Sequence, residues 1–209
     1  MENGFIVQSS LLVGIIPALI ILYYSLKDWH GKFQEKTLFI MLIIGFFMGS
    51  VMILLEVGLF YNTIAFITIF PFLGQIIKTM ILNLRRFQEK RETVIYGLAL
   101  GLGFGSLYPA ALIVLFKDIT ILFMLSSLGI ILLHGSTGVM IGYGIYRRNL
   151  LYLYFFSGGI FVIANILIKI EYFQLINLIL GIVLFLYVNK KMISKVANEN
   201  KEDKNIVQQ

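Results

Sequence analysis

The chain has 209 residues, of which 59% are hydrophobic and 13% are charged, and its mean hydropathy is +0.90. Soluble domains are about half apolar and about a quarter charged, so this composition excludes an ordinary soluble domain and indicates an integral membrane protein. The chain has no cysteine, which excludes disulfides, thiolate metal ligands and a cysteine nucleophile. The net charge of +6 is better explained by membrane topology than by nucleic-acid binding.

Two apolar runs open the chain, at residues 6–26 and 38–60. Each is long enough to cross a hydrocarbon core of about 30 Å, and Pro17 is expected to kink the first. Trp29, in the basic loop between them, is a candidate anchor at the membrane interface. Glu56 lies inside the second run, and we interpret it as a carboxylate near the interface.

The third and fourth predicted spans, residues 63–84 and 93–116, form a helical hairpin around a basic loop. The third span carries Gln75 and Lys78. A central Lys costs about 2.5 to 3.5 kcal/mol in a membrane, so such side chains normally face a bundle interior or a wet cavity. Lys78 has an alternative, because at 1.5 Å per residue it lies only about 10 Å from the basic loop and its side chain could snorkel there.

Glycines recur at every fourth position in the fourth span, at Gly97, Gly101 and Gly105. This spacing makes a flat stripe on which a neighbouring helix backbone can pack closely. A phosphate-binding loop is not expected here, because no strand precedes these glycines and no Lys-Ser or Lys-Thr pair follows them.

The remaining predicted spans are residues 121–145, 150–168 and 173–188. The fifth span contains His134, Ser136 and five glycines, so we expect it to pack inside the bundle rather than against lipid. The last of these runs is the shortest.

Residues 189–209 form a polar and charged tail that we expect to be disordered. The sequence thus predicts an all-α, polytopic transmembrane bundle of about seven spans in a single domain, residues 1–188. Lys and Arg concentrate in the loops after spans one, three and five and in the tail. This bias predicts a protein of the cell membrane with an external N-terminus and a cytoplasmic C-terminus.

The polar residues of the middle spans occur in a recognisable order. The ordered motifs are Pro71-Phe-Leu-Gly-Gln-Ile-Ile-Lys78, Ile95-Tyr96-Gly97, Gly101-Leu-Gly-Phe-Gly105, and His134 followed by Gly138. Over residues 63–145 this order resembles the PrsW family of intramembrane metalloproteases. That family is distantly similar to the CAAX-processing proteases and to the multispanning scaffold subunit of gamma-secretase.

The resemblance implies a set of motif-equivalent positions. In the family, a Glu-Glu-x-x-Lys motif precedes a YG…GxGFxxxE helix and a histidine-containing helix. The equivalent positions here are Gly74 and Gln75 for the glutamate pair, Lys78 for the lysine, Tyr108 for the third glutamate, and His134 for the histidine. The resemblance therefore implies the family's helical core without its glutamates.

Depth along the helices predicts which of these side chains meet. At 1.5 Å per residue, Gln75 lies about 18 Å and His134 about 20 Å from the outer ends of their spans, and Tyr108 about 12 Å. Glu56 is expected about 14 Å above His134, too far for contact. We therefore expect a midplane polar cavity, lined by Gln75, Lys78, Tyr108, His134 and Ser136.

This residue set does not predict a catalytic metal or another cofactor. A hydrolytic zinc site normally has three His, Asp, Glu or Cys ligands and an open position for water, and His134 is the only candidate ligand at this depth. A carboxylate base is also missing. Ser136 and His134 are two residues apart on a helix and point in different directions, so a serine mechanism is not expected either.

The sequence leaves three hypotheses about function, beside the purely structural role that a lone histidine in an apolar helix most often has. The first is a catalytically inactive PrsW-like protein that binds or scaffolds another membrane protein or peptide. The second is the substrate-binding subunit of a small-molecule transporter, and the third is an active PrsW-like metalloprotease with atypical ligands. The expected surroundings are a lipid bilayer, with no nucleic acid.

Overall fold

The fold is an all-α bundle, as the composition predicted. The computed structural model of the chain describes residues 2–29, 31–58, 64–88, 90–116, 120–167 and 173–199. The described part of the chain consists of helices joined by short loops and contains no strand.

Seven α-helices follow one another along the chain. They are α1 Glu2–Ser25, α2 Glu35–Gly58, α3 Phe70–Leu82, α4 Thr93–Phe116, α5 Ile121–Tyr146, α6 Leu150–Leu167 and α7 Phe173–Val188. The predicted bounds of the fourth and seventh spans agree with α4 and α7, and most of the other helix ends differ by only a few residues. The predicted turns at 61–62, 117–118 and 169–171 lie outside the described residues.

Length and apolar character make six described helical stretches able to cross a membrane. They are Glu35–Glu56, Ala65–Leu82, Thr93–Ala111, Met124–Tyr146, Leu150–Leu167 and Gln174–Glu199. A shorter apolar stretch, Leu11–Ser25, belongs to α1. This is the architecture of a multi-pass membrane protein.

Helices α4 and α5 form the centre of the bundle. Helices α1 and α2 pack on α4, α6 and α7 pack on α5, and α3 lies against α5 and α6. The glycine stripe of α4 faces α5, where a Cβ atom added to Gly97 would lie 2.2 Å from the carbonyl oxygen of Gly138. A Cβ added to Gly101 would lie 2.1 Å from the carbonyl oxygen of His134. The two backbones are therefore in direct contact, which only small residues permit.

The start of the third span is irregular. A π-helical segment, Ala65–Ile69, precedes α3, and Pro71 stands in the first turn of the helix. The side-chain amide of Asn165 on α6 donates a hydrogen bond of 2.9 Å to the carbonyl oxygen of Phe66. Such help from a neighbouring helix is what makes irregular backbone tolerable at membrane depth.

The expectation of a disordered tail is wrong for residues 189–199. The chain continues from α7 through a π-helical segment, Asn189–Ile193, and a further helical turn. Met192, Ile193, Val196 and Ala197 are buried on one face of this extension. The ammonium of Lys32 donates a hydrogen bond of 2.8 Å to the carbonyl oxygen of Ala197, which ties the extension to the first loop. Residues 200–209 lie outside the described residues.

Candidate functional site

Lys78 points into the bundle, so the snorkelling alternative is wrong. Its side chain is 0% exposed. The Nζ atom donates hydrogen bonds to Oγ1 of Thr137 at 2.9 Å and to Oε1 of Gln75 at 3.4 Å. It also lies 3.2 Å from Nδ1 of His134 and 3.4 Å from the carbonyl oxygen of the same residue. Helix α3 supplies the amine, and α5 supplies most of its partners.

Aromatic rings complete the surroundings of the amine. The Nζ atom of Lys78 lies 5.1 Å from the ring centroid of Phe104 and 5.5 Å from that of Phe161. A cation over an aromatic face is stabilised by the ring quadrupole, most strongly where water is excluded. The amine is therefore held by neutral oxygen and nitrogen atoms and by two π faces.

His134 is held between three aromatic rings. The centroid of its imidazole lies 4.4 Å from that of Phe161, 5.0 Å from that of Phe104 and 5.1 Å from that of Tyr108. Its backbone carbonyl accepts a hydrogen bond of 3.1 Å from the hydroxyl of Thr137. These contacts fix the ring plane with Nδ1 towards Lys78.

Tyr108 extends the cluster towards the far end of α2. Its hydroxyl donates a hydrogen bond of 2.8 Å to Oε1 of Glu56. Glu56, which was interpreted as a carboxylate near the interface and expected to lie too far from His134 for contact, is thus linked to the cluster through Tyr108. Glu56 does not touch His134 directly, but both contact the same tyrosine.

The positions singled out in the sequence do not all meet. Gln75, Lys78, Tyr108 and His134 come together, and a Cβ at Gly74 would lie 3.7 Å from the Phe104 ring, beside the cluster. Ser136 does not join them. Its buried hydroxyl has no hydrogen-bond partner in the part of the chain that the structure describes. Its neighbour Thr137 contacts the amine instead.

Three members of the site were missed from the sequence, namely Thr137, Phe104 and Phe161. Thr137 had a usable signal, because residues three apart on a helix share a face and His134 was already identified. The two phenylalanines had none, since the described bundle contains many aromatic residues and their pattern does not mark these two. We call Gln75, Lys78, Tyr108, His134 and Thr137 the polar cluster.

The donor set of the polar cluster does not fit a catalytic zinc ion. Among the described residues no group of three or more His, Cys, Asp and Glu side chains is placed to hold a metal. One imidazole, one amide and one phenol make a poor zinc site. The Lys78 amine, in addition, lies 3.2 Å from one of the two imidazole nitrogens, Nδ1.

No protein-family model, curated protein or solved structure matches the chain. The likeness to the PrsW proteases therefore rests on the order of the sequence motifs alone.

Proposed function

We propose that the chain is a non-catalytic, multi-pass membrane protein that binds a transmembrane segment of another protein or peptide through the polar cluster. The observation that carries this proposal is the Lys78 amine, fully buried and contacted by neutral groups. The proposed occupant is a transmembrane helix with one Asp or Glu near its middle.

The electrostatics of Lys78 favour a partner of this kind. A buried cation is costly unless a counter-charge pairs with it, and ionisable groups inside membranes mark functional sites by default. Among the described residues, no carboxylate forms an ion pair with Lys78. The salt bridge in this part of the chain joins Arg147 to Glu199. A carboxylate brought by a partner helix would supply the missing charge.

The lack of carboxylates favours binding over catalysis. In a PrsW-like core, the glutamate positions would hold Gly74, Gln75 and Tyr108, none of which can act as a base for water at neutral pH. A positive ammonium beside His134 would also repel a divalent metal. We infer that the helical core has been kept for recognition, without the hydrolytic chemistry.

The seam between α2 and α3 is the proposed entry route. Helix α2 packs mainly along α4, and α3 packs mainly on α5 and α6, so these two neighbours hold one another weakly. Met48 and Met52 of α2 meet Leu73 and Ile77 of α3 around a small apolar cluster. Methionine side chains repack readily, which suits a seam that opens for a partner.

The proposed setting is the cell membrane, with the N-terminus outside and the C-terminus in the cytoplasm. The bias of Lys and Arg between the loops supports this orientation. A reporter fused after Gln209 is then expected to be cytoplasmic. Reporters showing both termini on one side would contradict the orientation.

Binding of model peptides tests the proposed function. A labelled leucine-rich transmembrane peptide with one central Glu is titrated into vesicles that contain the purified protein, beside the same peptide with Gln. The Glu peptide is expected to bind about tenfold more tightly, a difference of about 1.4 kcal/mol. Lys78→Met should remove this preference, and Lys36→Met, which removes an exposed lysine at the end of the bundle, should keep it.

Two outcomes would contradict the proposal. One is equal affinity for the Glu and Gln peptides, and the other is an unchanged preference in Lys78→Met. A small molecule that co-purifies with the parent protein but not with Lys78→Met would instead favour the transporter alternative.

A further inference from the structure

A cavity lies at the basic end of the bundle, away from the polar cluster. Its volume is about 120 Å³, and it is lined by Arg86, Lys90, Glu92, Gln34, Thr37 and Tyr96. One water needs only about 10 to 15 Å³ of such space, so the cavity also has room for a tetrahedral anion.

The cavity lies at the ends of three candidate spans, which is where lipid headgroups are expected. It is built where the candidate span Glu35–Glu56 begins, where Ala65–Leu82 ends and where Thr93–Ala111 begins. Beyond it on α2, Phe39 and Ile43 are exposed one helical turn apart on the same face. An acyl chain attached to a group in the cavity could lie along this face.

Buried side chains give the cavity a formed wall. The hydroxyl of Tyr96 accepts a hydrogen bond of 3.2 Å from the backbone N–H of Gln34, and the Thr37 hydroxyl donates one of 3.1 Å to Oε1 of Gln34. Thr37 and Tyr96 are both buried. The ring of Phe87 packs edge to face against that of Tyr96, with 5.8 Å between the ring centroids. The Cζ atom of Arg86 lies 5.8 Å from the centroid of the Phe87 ring. The guanidinium of Arg86, which is exposed, therefore lies beside this wall.

The charges of the lining select the kind of anion. Arg86 and Lys90 contribute two positive charges and Glu92 one negative charge, which leaves a net charge of one positive. Guanidinium and ammonium groups bind phosphate oxygens strongly, the former in a bidentate manner. A single net positive charge matches a phosphodiester, which carries one negative charge, better than a free phosphate dianion.

We propose that this cavity binds the phosphodiester of an anionic phospholipid headgroup. Basic pockets between transmembrane helices at the cytoplasmic side are suited to such headgroups, and the Lys and Arg bias predicts that this end is cytoplasmic. The site is separate from the partner-binding function, since it shares no residue with the polar cluster.

The test measures lipid binding by native mass spectrometry of the full chain in detergent. Short-chain phosphatidylglycerol is titrated against the parent protein and against Arg86→Gln/Lys90→Gln. The matched control, Arg85→Gln/Lys36→Gln, removes two exposed positive charges that do not line the cavity. The dissociation constant is expected to rise about tenfold or more in the cavity variant and less than about twofold in the control.

Competition distinguishes a lipid from a soluble phosphate. Phosphatidylcholine and inorganic phosphate, each added in hundredfold excess, should displace little of the bound phosphatidylglycerol. Equal loss of lipid binding in the two double variants would overturn the proposal, because it would show attraction to the basic surface as a whole. Displacement by inorganic phosphate would overturn the assignment to a lipid.

Discussion

The Nζ atom of Lys78 lies 3.2 Å from Nδ1 of His134, across the interface between α3 and α5. A protonated amine has hydrogen-bond donors and no acceptor, so it can donate in this contact only to an unprotonated Nδ1. The contact brings the lysine-bearing motif of α3 and the histidine-bearing motif of α5 together in the interior of the bundle.

The close approach of α4 and α5 should depend on Gly97. In Gly97→Ala the new methyl group would meet the carbonyl oxygen of Gly138, so the helices must separate. We expect a loss of about 1 to 3 kcal/mol, the usual cost of overpacking. Gly159→Ala is the matched control, because nothing lies within 4 Å of its added Cβ. Unfolding of both variants in detergent micelles measures the difference, and equal stability would contradict the packing described for α4.

The bond between Tyr108 and Glu56 should be energetically coupled. A double-mutant cycle with Tyr108→Phe, Glu56→Met and the double variant isolates that interaction, because neither replacement side chain can make the bond. Hydrogen bonds between membrane helices average about 0.6 kcal/mol and reach about 1.7 kcal/mol, and we expect a coupling in this range. A coupling of zero within error would place the tyrosine hydroxyl elsewhere.

His134 should matter for packing and not for metal content. His134→Ala removes a ring that contacts three aromatic neighbours, so we expect a loss of roughly 3 kcal/mol, similar to other large-to-small substitutions. His134→Phe should recover much of this loss, because it restores a ring. Elemental analysis is expected to find no stoichiometric zinc in any of the three proteins. One zinc per parent chain, lost in His134→Ala, would contradict the non-catalytic proposal.

The course of the helices could be predicted from the sequence because apolar run length fixes a membrane span. Helix α4, Thr93–Phe116, was predicted at its observed bounds. The helical extension after α7 was not predicted, because Lys190, Lys191 and Lys195 make this segment polar on average although one of its faces is apolar. Met192, Ile193, Val196 and Ala197 follow a helical spacing, and that spacing outweighs the local polarity once a neighbouring surface covers the face.

The site was predicted only in part, because depth along a helix says nothing about its rotation. Gln75 and His134, which were expected to share one site, both contact the amine of Lys78. The position of Lys78 depended on which side of α3 faces α5, and no single span carries that information. The bond between Glu56 and Tyr108 was not predicted, because depth was used only to compare Glu56 with His134 and long side chains extend towards one another.

Restoring the missing carboxylates tests the resemblance to the PrsW proteases. Gly74→Glu/Gln75→Glu/Tyr108→Glu would introduce a carboxylate at each motif-equivalent position and release Glu56 from its tyrosine. Buried like charges are costly, so this variant should be less stable than the parent in the absence of metal. If the positions converge as the resemblance implies, Zn²⁺ should restore about 2.7 kcal/mol at a concentration one hundred times the dissociation constant.

A neutral variant is the control for that experiment. Gly74→Gln/Tyr108→Gln, with the native Gln75, adds side chains of the same size without charge and should not respond to zinc. The comparison is repeated with Lys78→Met, because the lysine can pair with a carboxylate in place of the metal. Indifference of the triple glutamate variant to zinc in both backgrounds would remove the main support for the resemblance.

The central claim is that the polar cluster receives an acidic transmembrane segment through the seam between α2 and α3. Its most direct measurement is photo-crosslinking with the Glu peptide, carrying a diazirine leucine one turn from the glutamate, followed by mapping of the adducts. We expect adducts on Met48, Met52, Leu73 and Ile77, which disappear in Lys78→Met. Adducts confined to exposed residues of α6 and α7, such as Ile163 and Leu186, or a map unchanged in Lys78→Met, would contradict it.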